Sequence, residues 1–376
     1  NRKRNNKRVV KMIVVVSCHH PTDDERIYHK QIKTLLKKKF QISYFTRSEY
    51  KNLSNNLIYH NNSDIDVDID SFINKVWDTI KNEQRITHVQ IHETDLLPLF
   101  KRIKSNNKKI KTIYDVHELR EPLYRTFSNR SNIIKQLSIY IRNKKESKYL
   151  KYVDNIILAN PLHSENPYNK FGIPTTIIEN FVEKKHIVDS RNEFSKPSLI
   201  YHGHLGAYRG ISDLVKAMQI ILENIPEAML TLVGGFRRSE FGIKTIKYIE
   251  ENKMTNSIKI IDQIPHSEIW GILKNHRIGV IPFRKNPFSM NCTPTKLFEM
   301  MASGLEIVAT DLPPIKYFVK DTVYWAEPDN ITSLANAIQK VIQAKNKLPY
   351  AKKNLSLVRK KYNWENIESR YLDLFE

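Results

Sequence analysis

The strongest constraint on the fold of this chain is a repeated alternation: short aliphatic runs, each followed by a stretch with helical spacing. Residues 9–16 are mostly β-branched and apolar, as expected for a strand buried on both faces of a parallel sheet. Thr22-Asp23-Asp24-Glu25 then offers a capping box, and Ile27, Ile32, Leu35 and Leu36 follow helical spacing. Strand-like runs recur at 41–45, 88–91, 112–114, 155–158 and 175–178, and the alternation predicts a doubly wound parallel sheet. A polar connector at 180–197 precedes a second series, with strands at 198–202, 229–233, 257–261, 278–281 and 307–309 and amphipathic stretches at 211–222 and 331–344. At 376 residues the chain is long enough for two such domains, expected to face each other across a cleft. In open α/β sheets ligands bind at the carboxyl ends of the strands, so functional residues belong just after each run.

Residues 292–311 read as a loop, a short helix and a strand. Proline is tolerated in a first helical turn, and Thr293 just before Pro294 can accept from the unpaired amides. Gly304 stops the helix. Lys296 and Glu299, three apart, share a face near the positive end of that helix. A cation there suits a phosphate, and a carboxylate one turn on can accept both hydrogens of a ribose diol. Arg209, opening the helix after the 198–202 strand, can clamp two phosphate oxygens, although a solvated helix-start arginine is the competing reading.

His117 follows the strand at 112–114, and His92-Glu93 follows the one before it. Such an imidazole can donate to a sugar hydroxyl, or it can be a core histidine. The set lacks the spacing of a metal centre, and no metal is expected. Ser17-Cys18-His19-His20-Pro21 carries no glycine-rich fingerprint, which counts against a nicotinamide cofactor, and Gly234-Gly235 reads as a tight turn.

The formal net charge is +21, and the surplus is uneven: residues 1–185 hold 35 basic and 20 acidic residues, the rest 26 and 20. This reads as a patch for polyanions or as a lysine-rich surface. Residues 131–151 interleave Ile133, Ile134, Leu137, Ile141 and Tyr149 with six basic residues. Such a helix can lie on an anionic membrane, but covering a sheet with a charged outer face is the commoner use and the preferred reading. No apolar run approaches the roughly 20 residues that span a bilayer, and the opening Asn1-Arg2-Lys3-Arg4 precedes too short an apolar run for a signal peptide. Cys18 and Cys292 have neither disulfide-framework nor metal-ligand spacing. A cytoplasmic protein, peripheral on the inner face of the cell membrane, is the expectation.

Residues 291–304, Asn-Cys-Thr-Pro-Thr-Lys-Leu-Phe-Glu-Met-Met-Ala-Ser-Gly, closely match a segment of one enzyme family. His19-His20-Pro21-Thr22-Asp23-Asp24-Glu25-Arg26-Ile27, His92-Glu93-Thr94-Asp95-Leu96-Leu97-Pro98-Leu99 and Tyr114-Asp115-Val116-His117-Glu118 match other blocks in the same order. The chain thus resembles the retaining GT-B glycosyltransferases of the "group 1" family, family four of the sugar-enzyme classification. The resemblance implies two Rossmann-like domains: an acceptor-binding one at 1–185, a nucleotide-sugar-binding one at 186–360, and a C-terminal helix at 361–376 crossing back to the first. It implies that Arg209 and Lys296 hold the donor diphosphate, Glu299 the ribose and His117 the donor sugar, with His117, Arg209 and Lys296 as the catalytic set. Gly203, Asn291, Thr293 and Leu297 complete the donor site, and His19, His20, His92, Glu93 and Glu118 form the acceptor or sugar rim.

Two departures stand out: Asn291 replaces a glutamate common in relatives, and His204 replaces an arginine that often follows the glycine matched by Gly203. The implied reaction is metal- and cofactor-free transfer from a UDP- or GDP-sugar to a glycan, lipid-linked glycan or other cell-surface polymer, as in polysaccharide biosynthesis. Partners would be donor, acceptor and an anionic membrane surface, with no nucleic acid. A nucleotide-sugar epimerase or hydrolase on the same fold, or a basic nucleic-acid-binding or scaffold protein, are the alternatives.

Overall fold

The computed structural model of the chain describes residues 11–48, 53–54, 56–61, 68–161, 166–190, 197–236, 240–344 and 349–376. Val9 and Val10 of the first predicted strand, the Asn1–Arg4 opening and residues 191–196 of the predicted connector lie outside them. The chain divides into two compact units: Asn1–Asn180 with Ile367–Glu376, and Phe181–Asn366.

The first unit holds β1 (Met12–Val16), β2 (Gln41–Thr46), β3 (Leu57–Asn61), β4 (Ile86–Ile91), β5 (Lys111–Val116), β6 (Asn155–Leu158) and β7 (Thr175–Ile177) in the order 3-2-1-4-5-6-7. All pairs are parallel, and central β1 sets Val14 beside Ser43 and Val89. The second unit holds β8 (Ser198–His202), β9 (Met229–Val233), β10 (Ile258–Ile261), β11 (Ile278–Ile281), β12 (Glu306–Thr310) and β13 (Tyr324–Ala326) in the order 10-9-8-11-12-13, again parallel. Central strands such as β1, β11 and β12 are buried throughout, which is why their sequences run apolar without alternation. In each unit the strand order reverses once, between β1 and β4 and between β8 and β11, and a crevice for ligands opens at such a point.

Several local expectations change. Asp24, not Thr22, caps the first helix by accepting from the amides of Arg26 and Ile27, while Thr22 bonds Thr46 and Ser48. That helix starts as a π-helix, Glu25–Ile32, before becoming α-helical at Lys33–Lys37. Strands β3 and β13 were not legible: both are partly buried edges, and β3 ends in Tyr-His-Asn while β13 is only Tyr-Trp-Ala, whereas the other edges, β7 and β10, keep β-branched residues.

The unit boundaries also differ from 185 and 361. Phe181 packs on Phe298 and Phe318 at 4.7 and 5.9 Å between ring centroids, and Trp364 N–H donates to Val182 O at 2.8 Å, so these residues belong to the second unit. From Ile367 the chain belongs to the first unit, where Tyr371 bonds Gln90 and Arg370 donates to Ile177 O.

Helix Asn132–Leu150 does not cover the sheet. Only Ile139 and Leu150 are buried, whereas Ile133 is 83% exposed and Ile134, Leu137, Tyr140 and Ile141 are also exposed. The spacing 133, 137, 140, 141 makes these residues one outward stripe.

Candidate functional site

In the second unit the loops after β8 and β11 bring two cations onto one aromatic ring. Gly210, at φ 72°, lets them meet, since a Cβ there would fall 1.7 Å from Pro282 O. Arg284 pins the second loop by donating to both carboxylate oxygens of Asp213 at 2.6 Å, and Thr310 Oγ1 donates to Phe283 O at 2.8 Å. Phe283 is thereby fixed, with Arg209 Cζ 4.5 Å and Lys296 Nζ 4.9 Å from its ring centroid. Arg209 also lies over Tyr208 and Phe288, and Lys296 over Tyr201, each at 5.0 Å. Gly203, at φ 101°, leaves Lys296 its room, since a Cβ there would sit 3.4 Å from Nζ.

Among the described residues neither cation has a carboxylate within 4 Å. Burial, and then the Arg209 charge, push the Lys296 amine down to about 7, against the opposing pull of Glu299. Such a pair is short of one anion.

Glu299 lies one turn along helix Thr295–Ala302, buried, and its carboxylate faces two imidazoles. His266 Nε2 is 2.7 Å from Oε1 and His202 Nε2 3.4 Å from Oε2. Burial holds His202 at about 4 despite the carboxylate, so it stands there neutral. Neither histidine was singled out from sequence; His202 had a signal, as the last residue of its strand.

Pro294, not Thr293, occupies the cap position of helix Thr295–Ala302, and it makes no side-chain cap bond because proline has none to offer. Leu297 serves the core: its side chain is fully buried and its amide donates to Pro294 O at 3.0 Å. Asn291 donates to Pro287 O at 2.9 Å within the loop, and His204 stacks on Tyr208.

In the first unit the rim residues do converge. Glu93 Oε1 accepts from Ser17 Oγ at 2.7 Å, His20 Nδ1 at 2.8 Å and His19 N–H at 3.0 Å, and Oε2 accepts from Cys18 N–H at 3.1 Å. Burial alone would raise this carboxyl, yet His20 and the other partners hold it at about 2. The His117 ring lies 4.3 Å from that of His20, and its Nε2 lies 2.9 Å from His92 Nδ1. Burial depresses the His117 pKa well below its usual value. Exposed Glu118 joins His19, His20, Glu93 and His117 around a cavity of about 430 Å³.

Beneath them lies Asp115, fully buried. It accepts from Arg26 at 2.9 and 3.1 Å and from Gln31 at 2.6 Å, and Arg26 reaches it from the π-helical turn. Donor atoms of His92, Asp115 and His117 all lie within 4.8 Å of one another, a metal-like grouping. A metal would have to displace Arg26, Gln31 and the His92–His117 bond, so the donor set does not fit one.

Two parallel sheets, each with loops converging at its switch point, define the class of the protein: it has the GT-B fold. The structure matches sucrose-phosphate synthase from Thermosynechococcus elongatus with a TM-score of 0.76 and 18% identity, over 97% of this chain and 98% of that one. It matches Anabaena Alr3699/HepE, solved in complex with UDP-glucose, with a TM-score of 0.73 and 12% identity, over 97% and 99% of the two chains. Residues 183–357, within the second unit, match the model of "Glycosyl transferases group 1". A curated relative, "Putative teichuronic acid biosynthesis glycosyltransferase TuaH" of Bacillus subtilis (strain 168), is 35% identical over 66 residues, and the match spans only 17% of either protein.

Proposed function

We propose that this protein is a retaining glycosyltransferase that takes a sugar from a nucleotide-diphosphate donor bound mainly by the second unit. The observation that carries this reading is the pair Arg209 and Lys296 on Phe283, a half-buried and a buried cation with no ion-paired carboxylate among the described residues. A diphosphate supplies the missing charge, and its negative charge grows as the glycosidic bond breaks. Cations fixed in advance stabilise that change without reorganising. Glu299 takes the ribose, exchanging one or both imidazole contacts for the diol, and Asn291, Thr293 and the Gly203 turn shape the remainder. A UDP-sugar is the first donor to test, since the HepE structure holds UDP-glucose.

His117 contacts the transferred sugar, and the cavity it shares with His19, His20 and Glu93 receives the acceptor. Asp95 and Arg120 border that cavity and also a second one of about 400 Å³ with Arg142 and Lys145, a polar path for a glycan. Ile141 lines the second cavity too and belongs to the exposed stripe of helix Asn132–Leu150. With Lys135, Arg142, Lys144, Lys145 and Lys148 on the same helix, that stripe suits an anionic membrane surface and a lipid-linked or cell-surface polymer acceptor. Among the described residues no helix is long and apolar enough to cross a membrane.

The test is titration calorimetry with UDP-, GDP-, ADP- and CDP-sugars. One of them binds the wild type, and Lys296→Ala and Glu299→Ala each weaken it. Heats that stay flat for every donor would refute the proposal. Product analysis with donor alone separates transfer from hydrolysis or epimerisation, and chelator leaves a metal-free transferase unaffected.

A further inference from the structure

A buried hydrogen-bond chain in the first unit has only one consistent arrangement of protons, and it ends on His117. It starts at Asp115, whose carboxylate stays ionised because Arg26 forks onto both oxygens, so Gln31 must turn its NH2 toward it. Gln31 Oε1 therefore faces Gln90, which must present its own NH2 at 2.8 Å, and that same NH2 lies 3.1 Å from His92 Nε2. Tyr371 OH, from the C-terminal segment, donates to Gln90 Oε1 at 2.9 Å and holds the amide the same way round. Facing a donor, His92 Nε2 must be the bare nitrogen and Nδ1 the protonated one. His92 Nδ1 lies 2.9 Å from His117 Nε2 and 3.5 Å from Asp115 Oδ2.

We infer that His92, held by Gln90 and Tyr371, is a positioning residue that keeps the proton of His117 on Nδ1. His117 then accepts at Nε2 and presents Nδ1–H as a donor. Its side chain is 18% exposed and lines the 430 Å³ cavity, and Nδ1 has no partner among the described residues. The opposite tautomer would present a lone pair, which attracts a sugar hydroxyl only through its hydrogen and cannot steady an oxygen gaining negative charge. The C-terminal ten residues thus set the hydrogen-bonding sign of a group lying far from them in sequence. This inference rests on the proposed role of His117 toward a sugar.

Two measurements test it. Long-range 1H–15N spectra of histidine-labelled protein, with His117 assigned through His117→Gln, are expected to show a protonated Nδ1 and a bare Nε2. The reverse pattern overturns the inference. Gln90→Glu puts a carboxylate oxygen where the NH2 stood, moves the His92 proton to Nε2 and should flip His117 to the other tautomer in the same spectrum. In transfer assays His92→Phe, which removes the Nδ1–H donor, is expected to lower kcat about tenfold or more, the worth of one lost hydrogen bond. His92→Asn, which keeps an N–H near that place, should recover most of the loss, and donor affinity should hold in both. Equal kcat losses in the two variants, in proportion to their loss of melting temperature, would mean a merely structural role. If the wild type binds no nucleotide sugar, the functional reading fails while the spectrum still decides the tautomer.

Discussion

Raising the pH from about 6 to about 9 should weaken nucleotide-sugar binding by roughly a hundredfold, chiefly through Lys296. In the unliganded protein burial and Arg209 hold this amine at about 7. A diphosphate between the two cations restores the ordinary preference of an amine for its proton, returning the pKa toward roughly 10.4. Two pH units above the free value, the binding-competent form is about 1% of the protein, a penalty of about 2.7 kcal/mol. Near pH 8 binding should therefore take up about nine-tenths of a proton, and near pH 6 about a tenth. Calorimetry in two buffers of different ionisation enthalpy reads the uptake directly, and a sugar diphosphate ester has no phosphate group titrating in this window. Lys296→Met should bind weakly and without the slope.

The same shift fixes the sign of the unliganded protein's stability. The unfolded lysine keeps its proton to about 10.4 while the folded one loses it near the 7 of the native site, so stability rises with pH between these values. The slope from this group is at most about 1.4 kcal/mol per pH unit, and bound donor flattens it. Uptake below about 0.2 proton near pH 8, or an unchanged slope in Lys296→Met, would refute the reasoning.

Other consequences are equally open to measurement. Arg26→Met strands the Asp115 carboxylate, fully buried, and should cost about 3–5 kcal/mol in urea unfolding. Gly210→Ala, with a Cβ 1.7 Å from Pro282 O and φ at 72°, should cost at least about 2 kcal/mol, while Gly271→Ala, with nothing within 4 Å, should be neutral or mildly stabilising. Glu93→Gln should cost up to about 3 kcal/mol near pH 7, and the difference should vanish as pH falls below the ordinary carboxylate range toward 2, where the native carboxylate itself takes up a proton. Ile133→Glu with Leu137→Glu should abolish co-sedimentation with anionic vesicles at low salt while moving stability by less than about 0.5 kcal/mol, since both residues are already exposed.

The sequence by itself determined the two parallel sheets and singled out most of the candidate residues. Aliphatic runs and amphipathic intervals are local patterns, and the rule that ligands sit past the carboxyl ends of strands turned some of them into positions: His92 and His117 lie just beyond strands as read and Arg209 in the loop after one, while Lys296 was found from the start of its own helix. Edge strands β3 and β13 escaped because β3 breaks into Tyr-His-Asn and β13 is three aromatic and small residues long, whereas β7 and β10, equally at edges, keep the β-branched residues that mark a strand.

What only the tertiary structure decided are the pairings. Phe283 as the ring shared by two cations, His202 and His266 on Glu299, and Asp115 under the histidines join residues with no pattern in common. Arg26 meets Asp115 across 89 positions and Tyr371 meets Gln90 across 281. Helix Asn132–Leu150 makes the same point from outside: its apolar stripe was legible, but whether the stripe faced sheet or solvent depended on what packed beside it. Periodicity records the demands of a residue's own element, whereas contacts, proton positions and charge shortages arise only when distant elements meet.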